Sequence, residues 1–86
     1  MKIKKQLVKR SIAGDVLLVP IGSASAELKG LLTLNETASA IWDLLPQCDS
    51  AQELVARMLE EYDVDEAVLR ADVEDFLAQL RQLDVL

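Results

Sequence analysis

The hydrophobic pattern of this chain changes its period at Asn35, and this change limits the folds that the chain can adopt. The segment ELKGLLTL, residues 27–34, places Leu32 and Leu34 on one side of an extended chain, which predicts a β-strand. After Asn35, apolar residues recur at the spacing of an α-helix as far as Pro46, which ends the pattern. The chain therefore has to join a sheet directly to helices, in that order along the sequence.

Two further strands are predicted ahead of this one. LVKRSI, residues 7–12, has the length of a strand with a polar middle, and VLLV, residues 16–19, is a continuous apolar run. A short turn in which Gly14 can take a positive φ connects them, and the small residues of IGSASA, residues 21–26, form a loop to the third strand. Short links predict an antiparallel meander, in which the second strand is central and residues 27–34 form an open edge.

Three helices are predicted after the strands. Asn35 can cap the first helix and Asp65 the third, while SAQE, residues 50–53, is a capping box for the second. The apolar stripes of the three helices are Ala38, Ile41, Trp42 and Leu45; Leu54, Val55, Met58, Leu59 and Tyr62; and Leu69, Val73, Phe76, Leu77 and Leu80. The predicted fold class is α+β, a three-stranded antiparallel sheet followed by three helices, in a single domain over residues 1–86.

The composition argues against catalysis. The chain has no histidine and one cysteine, Cys48. A Cys/His zinc set, a disulfide within the chain and a histidine base for a nucleophile are therefore all excluded. We predict that the protein is not an enzyme and has no catalytic residues, no metal site and no cofactor.

The distribution of charge argues against nucleic acid as a partner. The first ten residues carry five basic side chains, whereas the other 76 carry four basic and fifteen acidic side chains, a net charge of −11. Binding to phosphates needs Lys and Arg, so an acidic body does not suit it. We predict no membrane partner, because no apolar run reaches the roughly 18–20 residues of a membrane span. The chain has a single cysteine, and its basic N-terminus lacks the apolar stretch of a secretion signal. Both features predict a cytoplasmic protein.

Three stretches of the chain together resemble a known family. They are LNETASAIWDLL at residues 34–45, SAQELVARMLEEYDVD at residues 50–65 and ADVEDFLAQLRQLDVL at residues 71–86. In order and spacing they are similar to the PqqD family, coenzyme PQQ synthesis protein D. The wider group is the precursor-peptide recognition elements of ribosomal peptide natural-product (RiPP) pathways. The resemblance extends over about residues 7–86, and its most specific part is the start of the first helix.

The resemblance implies a winged-helix-like arrangement of the three strands and three helices. It also implies a function, that of a non-catalytic adaptor. Such an adaptor holds the leader of a precursor peptide and presents it to a modifying enzyme, often a radical SAM protein. In this family the leader docks as an added strand against the third strand, beside the third helix.

The residues themselves give a separate reason to expect strand addition. An edge strand exposes unpaired N–H and C=O groups, and proteins usually protect it with charges, prolines or bulges. Residues 27–34 contain no proline and only Glu27 and Lys29 as charges, so another chain could pair there. The alternative is a half-buried strand in which Leu31 covers the far side of the sheet. The predicted peptide-binding residues are Glu27, Leu28, Lys29, Gly30, Leu31, Leu32 and Thr33 on the strand, and Leu69, Asp72, Val73 and Phe76 on the third helix.

Several interpretations stay open at the level of sequence. Phe76 could belong to the core, to the peptide groove or to both, and Asp72 could pair with a basic residue of the peptide or lie on a solvated face. An open strand edge could also pair with a second copy of the chain to form a homodimer. The alternative function is a winged-helix module that binds DNA or a transcription regulator. Such a module needs a basic recognition helix, and the third helix carries Glu66, Asp72, Glu74 and Asp75 against Arg70 and Arg81.

Overall fold

Three strands followed by three helices form the part of the chain that the computed structural model describes, residues 1–23 and 32–86. The strands are β1 (Leu7–Ile12), β2 (Asp15–Pro20) and β3 (Leu32–Leu34), and the helices are α1 (Glu36–Leu44), α2 (Ala51–Glu61) and α3 (Glu66–Gln82), with a single 3₁₀ turn at Leu45–Gln47. The α+β class and the order of the elements are confirmed. No helix in the described part is both long and apolar enough to cross a membrane.

The sheet is an antiparallel meander with the order β1-β2-β3, as predicted. Ala13 and Gly14 connect β1 to β2 with φ values of 51° and 87°. Two consecutive positive φ values are typical of the tight hairpin turn whose twist matches that of the strands. Gly14 adopts the conformation predicted for it, whereas the positive φ of Ala13 is imposed by the two-residue turn.

Each helix begins at the predicted cap. The Asn35 side chain accepts a hydrogen bond from the Ala38 amide at 2.8 Å, and the Asp65 carboxylate accepts one from the Val68 amide at 3.1 Å. Because a capping side chain satisfies an amide that has no partner inside the helix, each cap stabilises its helix by about 1 kcal/mol. The Asn35 cap also fixes where α1 starts, with a single residue between the end of β3 and the helix.

The start of α2 differs in one detail from the predicted capping box. Ser50 Oγ accepts from the Glu53 amide at 3.1 Å, as predicted, but the Glu53 carboxylate accepts from the Asp49 amide at 3.0 Å. Arg57, one turn after Glu53 on α2, donates to the Gln47 side chain at 3.2 Å. On α3, Glu66 and Arg70 form an ion pair at 3.4 Å, as their spacing of four residues predicts.

The core lies between the inner face of the sheet and the three helices. Its buried side chains include Leu18, Leu34, Ile41, Trp42, Leu45, Leu54, Val55, Met58, Leu69, Val73, Phe76, Leu77 and Leu80. The prediction that Tyr62 joins the apolar face of α2 is wrong, since 45% of the residue is exposed. The helix ends at Glu61, and the backbone at Tyr62 is extended, so Tyr62 does not continue the helical stripe.

The basic N-terminal segment lies against the body of the protein. The amide of Lys4 donates to the Val85 carbonyl, and its ammonium group lies 3.2 Å from the Asp84 carboxylate. Met1 and Ile3 pack against the core, and the Met1 amine donates to the carbonyls of the segment between α1 and α2. The chain ahead of the sheet is thereby joined to the C-terminal end of α3.

Candidate functional site

The hydrogen-bonding directions along β2 follow from its pairing with β1. The Ile21 amide donates to the Gln6 carbonyl at 3.0 Å, which continues the register in which Leu7 opposes Pro20. Backbone groups along a strand point alternately to one neighbour and to the other. Since position 21 points toward β1, the even positions of β2, including Val16 and Leu18, point toward β3.

The same alternation orients the backbone of β3. Leu18 opposes Leu32, and Val16 opposes Leu34, so these two leucines exchange hydrogen bonds with β2. Thr33 lies between them, and its N–H and C=O therefore point away from the sheet. Within the described residues no strand pairs with β3 on that side. The backbone of Thr33 is thus free to bond an added strand.

A groove runs beside this edge, between the end of β3 and α3. We call it the edge groove. It has a volume of about 230 Å³ and is lined by Thr33, Asn35, Thr37, Ala38 and Ile41 on one side and by Asp72, Asp75, Phe76 and Gln79 from α3. Small-molecule sites usually occupy about 300–1,000 Å³, so this volume suits one or two peptide side chains better than a cofactor.

The edge groove has an apolar part and an acidic part. Ile41 is fully buried and Phe76 is 5% exposed, so only small areas of these core residues reach the groove. Asp72 and Asp75 are exposed on α3, and no Lys or Arg is among the described residues that line the groove. The arrangement therefore suits a segment with an apolar side chain and a hydrogen-bond donor or cation next to it.

The structure brings only some of the predicted site residues together. Thr33, Asp72 and Phe76 line the edge groove, and Phe76 belongs to both the core and the groove. Leu32 is half-buried against the core, and Leu69 lines a neighbouring pocket. The five remaining strand residues lie outside the described residues; they are Glu27, Leu28, Lys29, Gly30 and Leu31.

Val73 occupies a different place from the one predicted for it. Its side chain is fully buried among core residues, so a peptide in the edge groove would not touch it. Six residues that line the groove are not among the predicted peptide-binding residues: Asn35, Thr37, Ala38, Ile41, Asp75 and Gln79. A sequence signal existed for Asp75, because a residue three positions after Asp72 lies on the same side of a helix.

The described residues offer binding surfaces and little reactive chemistry. Burial and the Glu53 carboxylate raise the pKa of the Cys48 thiol above its ordinary value, so at neutral pH this buried group stays protonated and unreactive. No group of three His, Cys, Asp or Glu side chains in residues 1–23 and 32–86 could hold a metal ion.

Comparisons with known proteins agree with this fold. The family model described as Coenzyme PQQ synthesis protein D (PqqD) matches residues 16–86. A solved structure described as TbiB1 in complex with the TbiA(beta) leader peptide superposes with a TM-score of 0.70 at 29% sequence identity, over 100% of this chain and 94% of that chain. No curated protein sequence matches the chain significantly. Since the family model covers more than half of the chain, this protein belongs to the PqqD family.

Proposed function

We propose that this protein is a non-catalytic adaptor for a ribosomally made precursor peptide. It binds the leader of the precursor by strand addition to β3 and presents it to a modifying enzyme. The observation that carries the proposal is the outward-facing backbone of Thr33 beside the edge groove. Main-chain bonds at the edge supply affinity, and side-chain contacts in the groove supply selectivity.

The proposed binding site combines residues 27–33, as predicted from the sequence, with the groove-lining side of α3. Asp72 and Phe76 contact the side chains of the bound leader, and Leu69 extends the contact toward the start of α3. Val73 is buried in the core and is not proposed to contact the leader. A leader bound in this way would complete the sheet on its open side.

The comparisons support this function. TbiB1, to which this chain is 29% identical over its whole length, is described in complex with a leader peptide. Membership of the PqqD family is consistent with a role in peptide modification. A radical SAM protein as the modifying enzyme rests on the sequence resemblance to PqqD alone.

The charges on α3 favour the adaptor over a DNA-binding module. The exposed residues of α3 include Glu66, Asp72, Glu74 and Asp75, and Arg70 already forms an ion pair with Glu66. A recognition helix in a DNA groove needs an excess of positive charge, because most protein–DNA hydrogen bonds go to phosphates and sugars.

Calorimetry and amide NMR with short peptides encoded in the same gene neighbourhood test the proposal. We expect one of these peptides to bind through its leader with submillimolar or tighter affinity and to shift the amide signals of β3 and α3. Duplex DNA at physiological salt should not bind. Absence of heat and of shifts with every such peptide would contradict the adaptor, and tight binding to DNA with a steep salt dependence would support the regulatory module.

Replacing Asp72 tests the acidic side of the edge groove. Asp72→Ala should weaken leader binding about three- to tenfold, because a charge-assisted contact with the peptide is lost. The melting temperature should stay nearly unchanged, since the side chain is exposed and makes no hydrogen bond or ion pair within the described part of the chain. Glu74→Ala, on the opposite side of α3, is the matched control. Equal affinity of the two variants for the leader would remove Asp72 from the site.

A further inference from the structure

An apolar pocket on the surface adjoins the edge groove. We call it the Tyr62 pocket; it has a volume of about 220 Å³ and is lined by Glu36, Thr37, Met58, Tyr62, Val64 and Leu69. Tyr62 is 45% exposed and Val64 48% exposed, and Val68 one turn further on is 61% exposed. Large apolar residues that cluster on a surface, in contrast to single ones, indicate an interaction site.

The pocket lies in a strongly acidic part of the surface. Five of the seven residues from 60 to 66 are Asp or Glu, and Glu36 lines the pocket from the start of α1. Within residues 1–23 and 32–86, no ion pair engages Glu36, Glu61 or Asp63. An apolar pocket with a negative rim is complementary to an apolar side chain that has cations next to it.

The Tyr62 pocket is a neighbour of the edge groove. Thr37 lines both cavities, one on each side of the start of α1. Along α3, Leu69 in the pocket lies about one helical turn from Asp72 and two turns from Phe76, which both line the groove. A peptide that leaves the end of β3 through the edge groove therefore meets the Tyr62 pocket next.

We propose that the Tyr62 pocket binds the segment of the precursor peptide that continues past the end of β3. The occupant is an aliphatic or aromatic side chain flanked by Lys or Arg. This inference rests on the proposed function and adds a second point of selectivity to it. Strand addition recognises mainly the backbone of the peptide. The Tyr62 pocket instead distinguishes precursors by one apolar side chain and the basic residues next to it.

A display selection tests the inference and does not require the precursor itself. The probe is a library of random peptides long enough to form a strand and continue beyond it. We expect the selected peptides to carry an apolar residue next to Lys or Arg, outside the segment in which proline substitution blocks binding. Replacing that apolar residue with serine should weaken binding about tenfold, which corresponds to the burial of one large apolar side chain.

Matched variants of the protein assign the anchor to its pocket. Tyr62→Ser should weaken the best selected peptide about tenfold, whereas Ile12→Ser, at a residue 52% exposed on β1, should leave it unchanged. Asp63→Lys should weaken binding, and Glu74→Lys should not. The serine-substituted peptide should bind Tyr62→Ser and the parent protein equally, because the peptide substitution has already removed the contact with Tyr62. The four combinations form a double-mutant cycle.

The outcomes separate this inference from the proposed function. If the selected peptides lack the anchor, or bind Tyr62→Ser as tightly as the parent, the inference is overturned while strand addition stands. If the parent protein self-associates in sedimentation and Tyr62→Ser does not, a second copy occupies the pocket and the inference is also overturned. If no peptide is enriched at all, the proposed function fails and the inference fails with it.

Discussion

Thr33→Pro should leave the protein folded and remove most of its affinity for the leader, whereas Leu32→Pro should destabilise the fold. Proline has no N–H and is tolerated in a sheet only where that group would face away from the ladder. The N–H of Thr33 points to the open side of β3, and the N–H of Leu32 points to Leu18 of β2. The same substitution at adjacent positions therefore has opposite consequences.

The expected magnitudes follow from the groups that lose a partner. In Leu32→Pro, the Leu18 carbonyl loses its donor, which costs about 1–3 kcal/mol for a buried group. The packing of the half-buried Leu32 side chain against the core is lost in addition. In Thr33→Pro, a bound leader loses one main-chain bond and meets the proline ring, so affinity should fall at least about tenfold.

Circular dichroism melting and calorimetry with the leader peptide measure the two effects separately. Thr33→Val is the matched control, because it keeps the N–H and has a similar shape. We expect Thr33→Val to bind as the parent does. A Thr33→Pro variant that is folded and binds the leader as tightly as Thr33→Val would show that the leader does not add to this edge.

Local features of the fold could be predicted from the sequence, but the direction of the N–H and C=O groups of Thr33 could not. The caps at Asn35 and Asp65 are predictable because the side chain bonds an amide three residues away. Which backbone groups of β3 face outward depends on its register with β2. It also depends on which positions of β2 face β3, and these are set by the two-residue turn at Ala13 and Gly14, whose length is not fixed by an apolar pattern alone.

The composition of the site could be predicted only in part for a related reason. Helical periodicity indicates which side of α3 is apolar, but the rotation of the helix about its axis decides which residues beside that stripe border the groove, here Asp75 and not Val73. That rotation is set by packing with α1 and α2, which contact α3 through side chains distant in sequence. The apolar pattern places Tyr62 in the core because it continues one residue beyond the end of α2.

Phe76→Ala should destabilise the protein by about 3–5 kcal/mol, the usual cost of truncating a buried aromatic side chain. Phe76 is 5% exposed, is packed in the core and also forms part of the edge groove. Urea unfolding followed by circular dichroism measures the loss. Val68→Ala on the same helix is the control, since a residue 61% exposed should change stability by about 0.5 kcal/mol or less.

The two roles of Phe76 are separated by a milder substitution. A domain of this size has a total stability of about 4–13 kcal/mol, so Phe76→Ala alone could unfold much of the protein and obscure any effect on binding. Phe76→Leu keeps most of the buried volume and should cost less than Phe76→Ala. It also removes the flat ring from the groove. We expect Phe76→Leu to stay folded and to bind the leader more weakly than the parent protein does. Unchanged affinity in Phe76→Leu would assign the ring to the core alone and leave Asp72, Asp75 and Thr33 as the groove's contacts with the peptide.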